Sequence, residues 1–171
     1  MRDLVERMIA AKSHGAEALF FVEPFASETG LLERTGAPTE LFLPWRTIAA
    51  SLDGATPAGA VTLPGRSQGR VFLRSNDAVL IVSNDVPTRE TLALDGEPRI
   101  IDLWEREVDS QTAPVGRTFA VGPSPLIISG LARPSAAWDQ ALKIEKPQLR
   151  EVFGLPQSLT LVVRNTYGQP V

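Results

Sequence analysis

The stretches Arg70-Val71-Phe72-Leu73-Arg74 and Ala78-Val79-Leu80-Ile81-Val82 enclose a short polar segment, Ser75-Asn76-Asp77. Each flank contains a short apolar run, with β-branched residues concentrated in the second, which is typical of strands, and the polar residues between them are a turn signal. The pattern predicts two strands joined by a tight turn, and the surrounding sequence extends this into a larger sheet structure.

Similar short runs surround this hairpin at roughly the 8–12-residue spacing of β-sandwiches. Asp95-Gly96 is the second specific turn signal, because this pair suits a type I′ hairpin, here between strands at 91–94 and 99–103. We therefore predict an antiparallel β-sandwich over residues 55–132. Its other strands are expected at 61–63, 70–74, 78–82, 117–121 and 126–129. Its core is expected to be one continuous layer formed by Val71, Leu73, Val79, Ile81, Ile101, Leu103, Phe119, Leu126 and Ile128.

Residues 1–54 have a different pattern. Leu4, Val5, Met8 and Ile9 recur at helical spacing. The run Ala18-Leu19-Phe20-Phe21-Val22 is apolar without alternation, which favours a strand covered on both faces, as in parallel sheets. A second helix is predicted over residues 40–52, where Gly54 follows as a terminator. Helix, buried strand and helix indicate an α/β segment, so the fold class of the whole chain is α+β. We expect this segment to be less stable than the sandwich, with Ile48 contributing less than Ile81.

Residues 133–171 are predicted to be a linker followed by the start of a further module. The stretch Leu159-Thr160-Leu161-Val162-Val163 indicates a strand that has no candidate partner downstream. The chain opens almost directly in a helix and ends where a further domain is predicted to start. We therefore expect it to be a piece of a longer protein.

Composition excludes several functions. The 171 residues carry a net charge of −3, without the basic excess that nucleic-acid binding requires. There is no cysteine and only one histidine, His14, so a zinc site, a thiol nucleophile and a two-histidine metal centre are excluded, and we expect no cofactor. No apolar run is long enough to span a bilayer, and charged residues near the N-terminus are incompatible with a secretory signal.

Several motifs resemble a known architecture. In order along the chain, Phe20-Phe21-Val22-Glu23-Pro24-Phe25, Glu28-Thr29-Gly30-Leu31-Leu32, Thr35-Gly36-Ala37-Pro38-Thr39-Glu40 and Leu43-Pro44-Trp45-Arg46-Thr47 are similar to the closing segment of a glycoside-hydrolase (β/α)8 barrel. The motif Ile101-Asp102-Leu103-Trp104 and the strands around it resemble the β-sandwich beside such barrels in bacterial hydrolases. Proteins of this kind often have glycine at the position of Glu105. The end of the chain resembles the opening strand of an immunoglobulin-like module.

The resemblance implies that this chain is the non-catalytic C-terminal portion of a glycoside hydrolase that stabilises its catalytic barrel. The two catalytic carboxylates would lie on earlier barrel strands, so no catalytic residue is assigned here. Glu23 and Phe25 would follow the eighth strand, at the barrel end that carries active sites, and are therefore expected to contact the carbohydrate substrate. The resemblance also favours an extracellular or periplasmic location.

Two other functions remain open: a carbohydrate-binding module, and a structural or adhesion sandwich. A binding module needs exposed aromatic faces, for which Trp104 and Trp138 are the candidates in the β region. Packing is the simpler expectation for both, and Trp45 falls on the buried stripe of its helix. His14 adjoins the helix-ending Gly15, which favours a structural role. Asp102 and Asp109 are interpreted as turn or strand-end residues.

Overall fold

The computed structural model describes residues 2–93, 96–114, 116–136, 142–144 and 161–163. Its elements, in chain order, are helices α1 (Arg2–Ser13) and α2 (Phe42–Ser51), strands β1 to β8, the short helix α3 (Arg133–Ala136) and strands β9 and β10. The strands are β1 (Thr56–Thr62), β2 (Gln68–Leu73), β3 (Ala78–Ser83), β4 (Thr88–Leu92), β5 (Gly96–Ile101), β6 (Ser110–Thr112), β7 (Arg117–Val121), β8 (Leu126–Leu131), β9 (Leu142–Ile144) and β10 (Leu161–Val163). The α+β fold class is confirmed, and the fold is mostly β, with antiparallel sheets and no closed barrel among the described residues.

The first eight strands form two sheets. Five strands are arranged in the order β1-β2-β3-β8-β5, and three in the order β4-β7-β6. The hairpin predicted around Ser75-Asn76-Asp77 is present, since β2 pairs with β3 and the Arg74 N–H donates to the Asp77 carbonyl at 2.8 Å.

The hairpin predicted at Asp95-Gly96 is wrong. Strand β4 pairs with β7 in the smaller sheet, and β5 pairs with β8 in the larger one. The chain therefore crosses between sheets at this point. A type I′ composition specifies a local turn, but pairing with β7 and β8 places Ile100 of β5 in the core cluster between the two sheets and Leu92 of β4 against it.

The core consists of two clusters and not the single layer predicted from the sequence. Successive residues of β3 point to opposite faces, and both faces of the larger sheet are covered. One cluster lies between this sheet and the helices and contains Val5, Met8, Ile9, Ile48, Leu52, Ala55, Phe72, Val79, Ile81, Ile101, Leu103 and Ile127. The other lies between the two sheets and contains Leu63, Val71, Ala78, Leu80, Val82, Ile100, Phe119, Val121, Leu126, Ile128 and Leu131. The molecule thus has three layers: helices, five-stranded sheet, three-stranded sheet.

The strand predicted over residues 18–22 is also wrong. These residues, here called the 18–22 segment, are irregular, and Phe20 and Val22 are 91% and 81% exposed. Within the described part of the chain, no hydrogen bond to a backbone group is present from residue 17 to residue 22. A strand covered on both faces needs neighbouring strands, and none pairs with this segment here.

Two features lie in the C-terminal region. Strand β10 pairs antiparallel with β9, so the predicted strand has a partner upstream, inside the stretch predicted to be a linker. Trp138 lies outside the described residues. The predicted division at residues 54 and 132 stays a prediction.

Candidate functional site

A loop of residues 23–41 follows the 18–22 segment and is held by its own hydrogen bonds. The Leu32 N–H donates to the Pro24 carbonyl at 2.9 Å, and the Thr39 hydroxyl donates to the Gly30 carbonyl at 2.8 Å. Gly30 is required here, because a Cβ on it would lie 2.5 Å from the Ala26 carbonyl oxygen. The loop thus has a defined conformation although it contains neither helix nor strand.

Glu23 begins this loop in the left-handed region of backbone space, with φ of 57°. Its carbonyl accepts a hydrogen bond from the Ala26 N–H at 3.0 Å, which closes a tight turn. Its side chain is exposed, and the Phe25 side chain is 52% exposed. Both residues predicted to contact substrate therefore lie on the surface of one turn.

A second tight turn, residues 102–106, follows β5. Asp102 organises it: one carboxylate oxygen accepts the Trp104 N–H at 2.8 Å and the Arg106 N–H at 3.0 Å, and the other accepts the Arg106 Nε–H at 2.7 Å. Burial disfavours the charged carboxylate, but these hydrogen bonds outweigh it and lower the pKa of Asp102. Asp102 is therefore a turn residue, as its position in the sequence indicated.

Glu105 occupies the position where the resembling proteins often have glycine, and its φ is 61°. The turn thus keeps the left-handed conformation that glycine adopts without strain. The Glu105 carboxylate accepts a hydrogen bond from Arg46 of α2 at 2.7 Å, and this partner lowers the pKa of Glu105. The side chain therefore joins the turn to the helical layer, which a glycine could not do.

A cleft of about 1010 Å³ separates α1, the 23–41 loop and this turn. We call it the α1–Trp104 cleft. Its walls combine aromatic and aliphatic side chains with carboxylates and hydroxyls. The lining residues are Asp3, Leu4, Arg7, Phe21, Ser27, Glu28, Thr29, Gly30, Thr39, Glu40, Leu41, Leu43 and Trp104.

The residues predicted to bind substrate are not in this cleft, since neither Glu23 nor Phe25 lines it. Sequence reasoning instead missed Phe21, Glu28 and Glu40. The sequence pattern predicts Phe21 in a buried strand and Glu40 at the start of a helix. They line one cleft because the loop folds back towards α1, and nothing in their spacing along the chain indicates this arrangement.

The aromatic candidates and His14 also make contacts within the fold. Trp104 is half-buried, packs against the helix-side core cluster and has the Arg106 guanidinium 5.3 Å from the centre of its ring. Trp45 also packs against this cluster, as its helical stripe predicted. The His14 ring nitrogen Nδ1 lies 2.7 Å from the Ala10 carbonyl oxygen at the end of α1.

Across the described residues, no three or more His, Asp or Glu side chains are grouped so that they could hold a metal ion. None of the described helices has the length and apolar character needed to cross a membrane.

Comparisons with known proteins give one distant similarity. No protein-family model matches the chain, and no curated protein matches it. Among solved structures, it is similar to a family 39 glycoside hydrolase from the gut symbiont Bacteroides cellulosilyticus WH2, with 15% identity and a TM-score of 0.47. The match covers 59% of this chain and 22% of the hydrolase chain. A similarity this low does not establish a shared fold.

Proposed function

We propose that this chain is the non-catalytic C-terminal portion of a carbohydrate-active glycoside hydrolase, and that it stabilises the catalytic barrel. The observation that carries the proposal is the exposed 18–22 segment. Phe20 and Val22 present large apolar side chains to solvent, and the backbone around them lacks hydrogen-bond partners within the described chain. A neighbouring strand in a sheet would cover such exposed apolar side chains and would pair with the unpaired backbone N–H and C=O groups.

The placement of the segment supports a barrel strand in particular. Residues 19–22 run beside α1 and α2, where all four line one groove with Met8 and Trp45. Leu19, Phe20 and Val22 nevertheless remain 51%, 91% and 81% exposed. An extended apolar segment that lies beside two helices and still exposes side chains to solvent is in the position that a barrel strand would occupy. In the complete enzyme, we propose that Glu23 and Phe25, directly after the segment, contact the carbohydrate.

The coding sequence around this chain provides the first test. We expect the reading frame to continue upstream into further barrel strands that carry two carboxylates. A frame without them would overturn the proposal. The 171-residue chain alone should not hydrolyse aryl glycosides, and turnover that is lost on substitution of one of its own carboxylates would equally overturn it.

The stabilising role requires the complete enzyme. Phe20→Ser with Val22→Ser should lower its melting temperature while leaving that of the 171-residue chain nearly unchanged. Val86→Ser is the matched control, because Val86 is 69% exposed in the loop between β3 and β4. If the double variant and Val86→Ser change the melting temperature of the complete enzyme equally, the 18–22 segment has no partner in the enzyme.

The substrate contact is tested in the same enzyme. Glu23→Gln and Phe25→Ala should raise KM at nearly constant thermal stability, because both side chains are exposed. Glu33→Gln, an exposed position in the same loop, is the control. Unchanged KM in both variants would remove Glu23 and Phe25 from the substrate site.

A further inference from the structure

The α1–Trp104 cleft is a second candidate site, separate from the exposed Glu23 turn. At about 1010 Å³ it lies at the upper end of the roughly 300–1,000 Å³ typical of small-molecule sites. It is large enough for a chain of several small units, and it lies on the side of the molecule where the helical layer meets the turn after β5.

Aromatic and aliphatic groups of the cleft come from three parts of the chain, among them Leu4 of α1, Phe21 and Trp104. Trp104 is fixed before any ligand arrives, because its backbone N–H donates to the Asp102 carboxylate, its side chain packs against the core and the Arg106 guanidinium lies over its ring. Phe21 is half-buried. The Trp104 ring, held in place in this way, loses little conformational entropy on binding.

The charged groups restrict the chemistry of a ligand. Asp3 and Arg7 form an ion pair with each other at 2.9 Å. Glu28 and Glu40 are exposed in the cleft and have no hydrogen-bond or ion-pair partner among the described residues. Three carboxylates with one guanidinium disfavour an anion, and ionised carboxylates are strong acceptors for hydroxyl donors.

We propose that the α1–Trp104 cleft binds a neutral oligosaccharide. Aromatic and aliphatic walls fit the C–H faces of sugar rings, and the free carboxylates of Glu28 and Glu40 accept hydrogen bonds from their hydroxyl groups. This rests on the proposed function for its ligand class, and it adds a binding site apart from the residues expected to contact the substrate.

Titration calorimetry with the 171-residue chain tests this, using xylohexaose, cellohexaose and mannohexaose as neutral probes and choline as a cationic probe. We expect saturable binding of at least one hexasaccharide. Glu28→Gln combined with Glu40→Gln should weaken it about tenfold or more, since charge-assisted hydrogen bonds are lost. Trp104→Leu should weaken it as well.

Glu33→Gln is the matched control, because Glu33 is exposed in the same loop but does not line the cleft. Thermal denaturation checks that each variant is folded. If Trp104→Leu does not fold, the Gln double variant still tests the site. Binding of choline alone, binding of no hexasaccharide, or binding unchanged in the Gln double variant would each overturn the site. Hexasaccharide binding by a chain whose gene encodes no catalytic barrel would instead overturn the proposed function and leave the site intact.

Discussion

Glu90 is a fully buried carboxylate on β4 whose two oxygens accept hydrogen bonds from the backbone of the β1–β2 turn. The Gly65 N–H donates at 2.8 Å and the Ser67 N–H at 3.1 Å. A Cβ on Gly65 would lie 2.7 Å from this carboxylate, so the glycine permits the close approach. Glu90 therefore ties the larger sheet to the smaller one through a turn.

We expect Glu90→Ala to lower the free energy of unfolding by about 2–5 kcal/mol, because it leaves two backbone donors without an acceptor. Glu90→Gln should cost less, since its carbonyl oxygen can still accept one of the bonds. Urea denaturation measures both. Glu33→Ala, at an exposed position, should stay within about 0.5 kcal/mol of the wild type. A loss for Glu90→Ala as small as for Glu33→Ala would contradict this role.

Asp77 gives a pH-dependent prediction. Hydrogen bonding from Arg74 lowers the pKa of Asp77, with a further contribution from the Gly130 N–H at 3.0 Å. A lowered folded-state pKa means that the stabilisation is present above the unfolded value of about 3.9 and is lost as the pH falls through the folded value. The stability difference between wild type and Asp77→Asn should therefore be largest near pH 7 and shrink towards pH 2. A difference that does not vary with pH would show that the Asp77 charge does not matter.

The structural role of Asp77 could be predicted from the sequence in part, whereas that of Glu90 could not. Asp77 stands in a turn signal between two apolar strands, and that turn was predicted and confirmed. Glu90 looks like any exposed acidic residue on a strand, because its partners lie in another hairpin and become neighbours only when the two sheets pack.

For helices and strands too, features that depend on neighbouring residues in the sequence were predicted, and features that depend on distant residues were not. The α2 helix and most strands were predicted within a few residues, because their apolar periodicity is a local property. The small strand β6 was missed, since Ser110–Thr112 has no apolar pattern. The sheet to which β4 and β5 belong was mispredicted, because pairing depends on residues far along the chain.

The helical layer is therefore expected to matter as much as the sheet. Ile48 of α2 and Ile81 of β3 are 0% and 3% exposed and belong to the same core cluster. Ile48→Ala and Ile81→Ala should each cost about 2–5 kcal/mol through lost burial and the cavity that remains. This revises the expectation from sequence that Ile48 contributes less. Chemical denaturation of both variants decides it: a loss for Ile48→Ala well below that for Ile81→Ala would show that α2 is only loosely attached.

At the scale of the whole molecule, the candidate site was less predictable than the fold. The α1–Trp104 cleft collects side chains from α1, from a loop and from the turn after β5, which are about a hundred residues apart at the extremes, from Asp3 to Trp104. Within its own segment of sequence, none of these side chains has a pattern that indicates a binding site. Glu23 and Phe25 were identified through resemblance alone, and the cleft was not identified at all.

The 18–22 segment should also differ from the rest of the molecule in dynamics. Helices α1 and α2 contribute fully buried side chains to the core, whereas the backbone of residues 17–22 has no hydrogen-bond partner in the described chain. Amides without such bonds exchange with solvent quickly, and those of core strands exchange slowly. In the 171-residue chain, hydrogen exchange should therefore be fast at 19–22 and slow in β3, α1 and α2. In the longer glycoside hydrolase that we propose, the same four amides should become protected, because neighbouring strands would then bind them. Slow exchange at 19–22 in the 171-residue chain would show that the segment already has its partners and would remove the main support for a barrel strand.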